Sequence, residues 1–189
     1  MATTRSPTLE TLGVFGVVFV LQFLTGLVGL VGFFVLAPPV TANPWTIVTS
    51  VYAHASVGHL VANAVALLIA GLLVERRTTW LRFHLFFISV GALAGVSQVV
   101  LTGVIGTPTA VLGASGAVFG LFGYLLAGNT VTASLFDRIE LSPRAQFAVF
   151  ALAALVVTIA TGQPGVALVA HFVGLFLGLF AGAGRLLDV

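Results

Sequence analysis

The chain alternates long apolar runs with short polar or Gly/Pro-rich breaks, and each run is about as long as a bilayer crossing. The first run covers residues 12–36 and ends at Ala37-Pro38-Pro39. A polar stretch through Asn43-Pro44-Trp45 leads to the second, 57–74, closed by Glu75-Arg76-Arg77. The third covers 80–101, and a Gly/Thr/Pro connection from Thr102 to Gly113 leads to the fourth, 115–133. Asp137, Arg138, Glu140 and Arg144 form a charged break before the fifth run, 145–161. The turn Gly162-Gln163-Pro164-Gly165 opens the sixth, 165–187. The first run is too long and too rich in Gly for the core of a signal peptide. The pattern predicts an all-α polytopic membrane protein, a single domain over 1–189 with six transmembrane helices.

Composition removes the competing classes. Only 6% of the 189 residues are charged and 59% are hydrophobic, whereas soluble domains are about a quarter charged. A mean hydropathy of +1.20 is the opposite of a disordered chain. With no cysteine there are no disulfides, thiol chemistry or Cys-based metal sites. The formal charge of +2 is spread along the chain, with no basic cluster to suggest nucleic acid.

Position makes those few charges informative. Arg5 and Glu10 precede span one; Glu75, Arg76, Arg77 and Arg82 surround the second break. Asp137, Arg138, Glu140 and Arg144 join spans four and five, and Arg185 and Asp188 end span six. The other three connections carry no Asp, Glu, Lys or Arg, so every charge falls on one side of the expected bundle. The positive-inside rule makes that side cytoplasmic, with both termini there. A bare six-span core without a transit peptide points to the cytoplasmic membrane of a prokaryote. His84, one turn into span three from that side, is expected to snorkel rather than act.

The uncharged side holds the candidate chemistry. His54 and His59 stand at the entry to span two, Asn63 one turn below His59, Ser115 at the head of span four, and His171 near the head of span six. A membrane Ser commonly bonds its own helix, and a buried His or Asn is often helix-to-helix glue. Polar side chains from three helices at one depth argue instead for a site. His171, Gly174, Gly178 and Gly182 share one face of span six, and Gly116, Gly120 and Gly123 line span four beside Ser115. Small-residue faces let helix backbones approach closely, and docking these two brings His171 toward Ser115.

A serine nucleophile needs a base, and neutral His is the usual one. All five acids lie at the other side of the membrane, so the expected unit is a Ser-His dyad, not a triad. His59 and Asn63, at i and i+4, share a helix face from which both can reach an oxyanion. A metal site using His54, His59 and His171 is a rival, without a His-Glu-x-x-His pattern or an outer carboxylate to serve as base. A small transporter is another, with no charged residue at mid-depth and no evident inverted repeat.

The residues His54-Ala55-Ser56-Val57-Gly58-His59-Leu60-Val61-Ala62-Asn63, Gly113-Ala114-Ser115-Gly116 and Ala170-His171-Phe172-Val173-Gly174 with Gly178 resemble the rhomboid family of intramembrane serine proteases, as does Val74-Glu75-Arg76-Arg77. The resemblance runs from about Trp45 to Gly182. It implies Ser115 as nucleophile, His171 as general base and acid, and His59, Asn63 and backbone N–H groups around Ser115 as the oxyanion site. It implies supporting roles for His54 and for Gly113, which leaves room beside the nucleophile. Substrates would be transmembrane-helix proteins in a lipid membrane, with no metal or other cofactor and no nucleic acid. Small or helix-breaking residues near the cleaved bond would be favoured, with span five and 162–165 as candidate gating elements. An inert rhomboid-like chaperone or binding protein is the alternative, which the presence of both Ser115 and His171 disfavours. Two positions depart from the family pattern: Phe119 stands where Tyr is common, and Trp45-Thr46 where Trp-Arg is typical.

Overall fold

The computed structural model describes residues 5–129, 132, 134, 141–163 and 165–189. Among these the regular elements are helical, apart from an antiparallel bridge between Leu36 and Val111. The α-helices are α1 (Pro7–Gly26), α2 (Thr46–Tyr52), α3 (Val57–Val74), α4 (Trp80–Val104), α5 (Ser115–Ala127), α6 (Pro143–Ala160) and α7 (Leu168–Ala183). Four of them, α1, α3, α4 and α6, are long and apolar enough to cross a membrane. The shorter apolar helices α5 and α7 have 13 and 16 residues. Val17, Phe23, Val61, Ile69, Leu152 and Ile159 leave the outward faces of α1, α3 and α6 apolar and exposed, as lipid contact requires. The chain is a membrane protein.

The four long helices start the same way. Ser6, Ser56, Thr79 and Ser142 are their N-caps, and each side-chain oxygen accepts a first-turn backbone N–H. Pro7 and Pro143 add a residue pre-set for helix entry. Helices α5 and α7 begin differently, with Ala114 and Ala167 at the cap positions and no side-chain cap.

Helix α5 is central and packs on α7, α4 and α3, while α6 rests on α7 and α1 on α3. The α5–α7 seam is backbone against backbone. A Cβ at Gly174 would land on the Gly116 carbonyl, one at Gly178 on the Gly120 carbonyl, and one at Gly182 on the Tyr124 carbonyl. These are the two stripes read from the sequence, docked face to face. On the other side of α7, Phe176 and Phe180 meet Phe147 of α6, with ring centroids 5.2 and 5.9 Å apart.

The described charged residues gather at one end. Glu75 accepts from the Ser6 hydroxyl at 2.8 Å and from the Thr8 amide at 3.1 Å. The Trp80 indole donates to Glu10, Arg82 donates to the Asp188 carbonyl, and the Tyr124 hydroxyl donates to the Asp188 carboxylate. The start of α1, the α3–α4 turn and the C-terminal residues therefore share this end. Asp137, Arg138, Glu140, Pro164 and the expected end of span four at Ala133 lie outside the described residues.

The first apolar run is not one helix to Leu36. Helix α1 stops at Gly26, Gly29 takes a positive φ of 77°, and Val31–Phe33 form a 3-10 turn. Past the helix end, Leu27, Val28, Leu30 and Val31 stay exposed, Phe33 packs against Trp45, and Leu36 is fully buried on Val111. Helix α2 in the following connection was not anticipated.

Candidate active site

The length of α5 sets the depth of the site. Thirteen residues rise only about 20 Å, against roughly 30 Å of hydrocarbon. The far end of α5 is tied to the charged side, where Arg77 donates to the Gly128 carbonyl. Ser115, its first residue, therefore lies below the opposite membrane surface. Non-helical backbone at such depth persists only where protein covers it or a wet cavity adjoins it. Protein covers it here, since Val111 pairs with Leu36 and the Gly113 amide donates to the Ser50 carbonyl at 2.9 Å, and a cavity of about 960 Å³ opens beside the chain.

Ser115, His171, His59, Asn63 and Phe119 all line that cavity. His171 Nε2 lies 2.9 Å from Ser115 Oγ. The docked stripes explain the meeting: Gly116 follows Ser115, Gly174 lies one turn beyond His171, and these two glycines touch. Phe119, one turn below Ser115, stacks on the imidazole with centroids 4.3 Å apart and planes 26° apart. The ring does the orienting, so a hydroxyl at position 119 is not needed for the stack.

His59 reaches the site across Gly113. Gly113 has a φ of 129°, and a Cβ there would sit 2.7 Å from His59 Cε1 and 2.8 Å from Nε2. Only a residue without a side chain admits the ring. The Ala55 amide donates to His59 Nδ1 at 3.4 Å, which leaves the proton on Nε2 and makes that atom a donor. Asn63 spends one N–H on the His59 carbonyl, one turn back at 3.0 Å, and keeps the second. With no side-chain cap at Ala114, the first-turn N–H groups of α5 also lack helical partners, and the helix dipole adds positive potential there.

His54 stands behind this set. It is 2% exposed, lies between Phe15 and His59, with ring centroids 4.7 and 5.2 Å away, and does not line the cavity. Its backbone amide donates to Gln22 Oε1 of α1 at 2.8 Å. Burial, and then the neighbouring His59, push its imidazole down to about 4. Among the described residues no three His, Asp or Glu side chains are grouped so as to hold a metal ion. His84, at the charged end, pairs with Glu10 at 3.4 Å.

Gln98 was not among the residues singled out from the sequence. It lies in α4, is 7% exposed, and lines the cavity. Its signal was available: a long amide inside an apolar run is costly unless something holds it.

Comparison with known proteins agrees in extent and in kind. Residues 41–187 match the family model described as Rhomboid domain. The chain is similar to rhomboid protease GluP of Bacillus subtilis, 34% identical over 82 residues, covering 43% of this chain and 15% of that protein. It is also similar to RHOMBOID-like protein 1 of Arabidopsis thaliana, 30% identical over 83 residues, 44% of this chain and 20% of that one. The matched stretches thus span no more than a fifth of either relative. With a family match over most of its length and the bundle described above, the chain belongs to the rhomboid family.

Proposed function

We propose that this protein is an intramembrane serine endopeptidase that cleaves transmembrane-helix proteins with a Ser115–His171 dyad. The observation that carries the proposal is the 2.9 Å contact between Ser115 Oγ and His171 Nε2 on the wall of a cavity within an apolar helical bundle. His171 Nε2 takes the hydroxyl proton as Ser115 Oγ attacks the scissile carbonyl carbon. The resulting oxyanion is met by His59 Nε2–H, the free N–H of Asn63 and the first-turn amides of α5. The proton passes from His171 to the leaving amine nitrogen as the C–N bond breaks, leaving an acyl ester on Ser115. Water, deprotonated by His171, then hydrolyses the ester and restores the hydroxyl.

A substrate helix has its carbonyls engaged in backbone hydrogen bonds, so unwinding must precede attack. Small or helix-breaking residues near the uncharged membrane face lower that cost. The proposed arrangement has six passes in a prokaryotic cell membrane with both termini cytoplasmic; the gathering of the described charges at one end supports the cytoplasmic placement of that end. The test is labelling by a fluorophosphonate in detergent, alongside cleavage of a transmembrane peptide. Labelling and cleavage are expected in the native protein and neither in Ser115→Ala; His171→Ala should lose cleavage. A folded native protein that neither labels nor cleaves would favour the inert binding protein.

A further inference from the structure

We infer that Gln98 is a positioning residue for the proposed hydrolysis: it caps, from a neighbouring helix, the helix that carries His171. The inference rests on the Ser115–His171 assignment. Ala167 offers α7 no side-chain cap, yet the first-turn amide of Ala170 is buried and satisfied, because Gln98 Oε1 of α4 accepts it at 3.1 Å. His171 is the next residue in the chain.

The orientation of the amide follows from its partners. Ala170 N–H can only donate, so the atom facing it is the oxygen, and Gln98 Nε2 is left to donate to Thr109 Oγ1 at 3.2 Å. Thr109 Oγ1 in turn lies 3.0 Å from Thr102 Oγ1, which donates to the Gln98 carbonyl at 2.7 Å. Gln98 thus has one end on the helix of the base and the other on the segment leading to the nucleophile. A Leu or Met would fill the same volume but could not hold either end.

Without the Gln98 oxygen, Ala170 N–H keeps no protein partner, and the first turn of α7 is no longer held against α4 and relaxes toward the cavity. The imidazole of His171 is carried with it, away from Ser115 Oγ. Displacements of about 1 Å at reacting groups cost on the order of 100-fold in rate.

The experiment uses the full chain in detergent and compares native protein with Gln98→Ala, Gln98→Glu, Thr102→Val and Ser115→Ala. It measures fluorophosphonate labelling rate, kcat and KM for a transmembrane peptide, and thermal unfolding. Gln98→Ala should fold and lose roughly 10- to 100-fold in labelling rate and in kcat, with KM changed by less than about twofold. Gln98→Glu, which takes up a proton when buried there, keeps an oxygen for Ala170 N–H and an O–H for Thr109 and should recover most of the loss. Thr102→Val disturbs the same network away from Ala170. It should unfold more easily yet label within about threefold of native. A folded Gln98→Ala protein that labels at the native rate overturns the inference, as does Gln98→Glu labelling more slowly than Thr102→Val. That comparison also decides if Gln98→Ala does not fold. Labelling that survives Ser115→Ala removes the dyad itself. Loss there with no effect at Gln98 removes only the cap.

Discussion

Gly174→Ala adds one methyl group at the closest approach of α5 and α7. The new Cβ would sit 2.8 Å from the Gly116 carbonyl carbon and 3.1 Å from its Cα, against an optimal carbon separation of about 3.5–4.0 Å. Both neighbours are backbone, so no flexible side chain can yield, and the helices must part by roughly 1 Å. Overpacking of this kind costs about 1–3 kcal/mol, partly offset by the better helix propensity of Ala, about 1 kcal/mol. The larger effect is on the dyad. Ser115 adjoins Gly116, and His171 is one turn from Gly174, so their 2.9 Å contact stretches to about 4 Å and the hydrogen bond is lost. A 1 Å misplacement predicts a fall in kcat of about 100-fold. Gly182→Ala is the control. Its Cβ meets Gly128 N at 2.9 Å and lands on the Tyr124 carbonyl, with a similar packing cost about 12 Å further along α7. Thermal unfolding should fall comparably in both variants, whereas kcat per folded molecule should drop steeply only for Gly174→Ala. Equal kcat losses, or a folded Gly174→Ala protein cleaving at the native rate, would refute the coupling of this seam to the site.

Gly113→Ala forces a positive-φ position to carry a Cβ and pushes the His59 ring aside, so peptide cleavage should slow by roughly 10- to 100-fold. For Phe119, exchange to Tyr should preserve the stack and leave kcat near native. Exchange to Ala removes a contact worth about 0.5–1.5 kcal/mol, and kcat should fall about 2- to 10-fold; equal rates for the two variants would discount the stack. His54 titrates near 6.5 in an unfolded chain but near 4 when folded, so the unfolded state binds the extra proton between those values. Stability should therefore decline as pH falls from about 6.5 to about 4, and His54→Gln should flatten that slope in thermal unfolding; an unchanged slope assigns the acid sensitivity elsewhere. Tyr124→Phe removes the hydroxyl that donates to Asp188, so unfolding should become easier by about 1.5–3 kcal/mol at unchanged kcat per folded molecule.

What was legible in the sequence is what periodicity encodes. The apolar runs located α1, α3, α4, α5, α6 and α7, and the glycine spacing on α5 and α7 located the contact that joins Ser115 to His171. Hydropathy alone does not mark where a helix ends among apolar residues. Residues 27–36 are as greasy as α1 but do not extend the helix, because Gly29 takes a positive φ and Leu36 pairs with Val111. Helix α2 is only 7 residues long, too short to carry a readable period. Gln98 escaped for a different reason: its partners, Thr109 and the amide of Ala170, lie 11 and 72 positions away, and one is backbone. No spacing rule reaches a cap supplied by another helix.

The described acids also shape what the proposed dyad requires of the rest of the protein. A carboxylate commonly orients a catalytic imidazole through Nδ1, but among the described residues Nδ1 of His171 has no hydrogen-bond partner. A charged group at that depth would be costly to insert. The ring is held instead by Phe119 on its face, by Ser115 at Nε2, and by a backbone whose height depends on Gln98 and the glycine seam. Each of these is a packing or hydrogen-bonding constraint that the bilayer leaves inexpensive. The geometry of the proposed dyad is therefore tied to helix spacing more tightly than that of a site with a carboxylate. Small added volumes at the head of α7 should cost more activity than the same volumes at its foot.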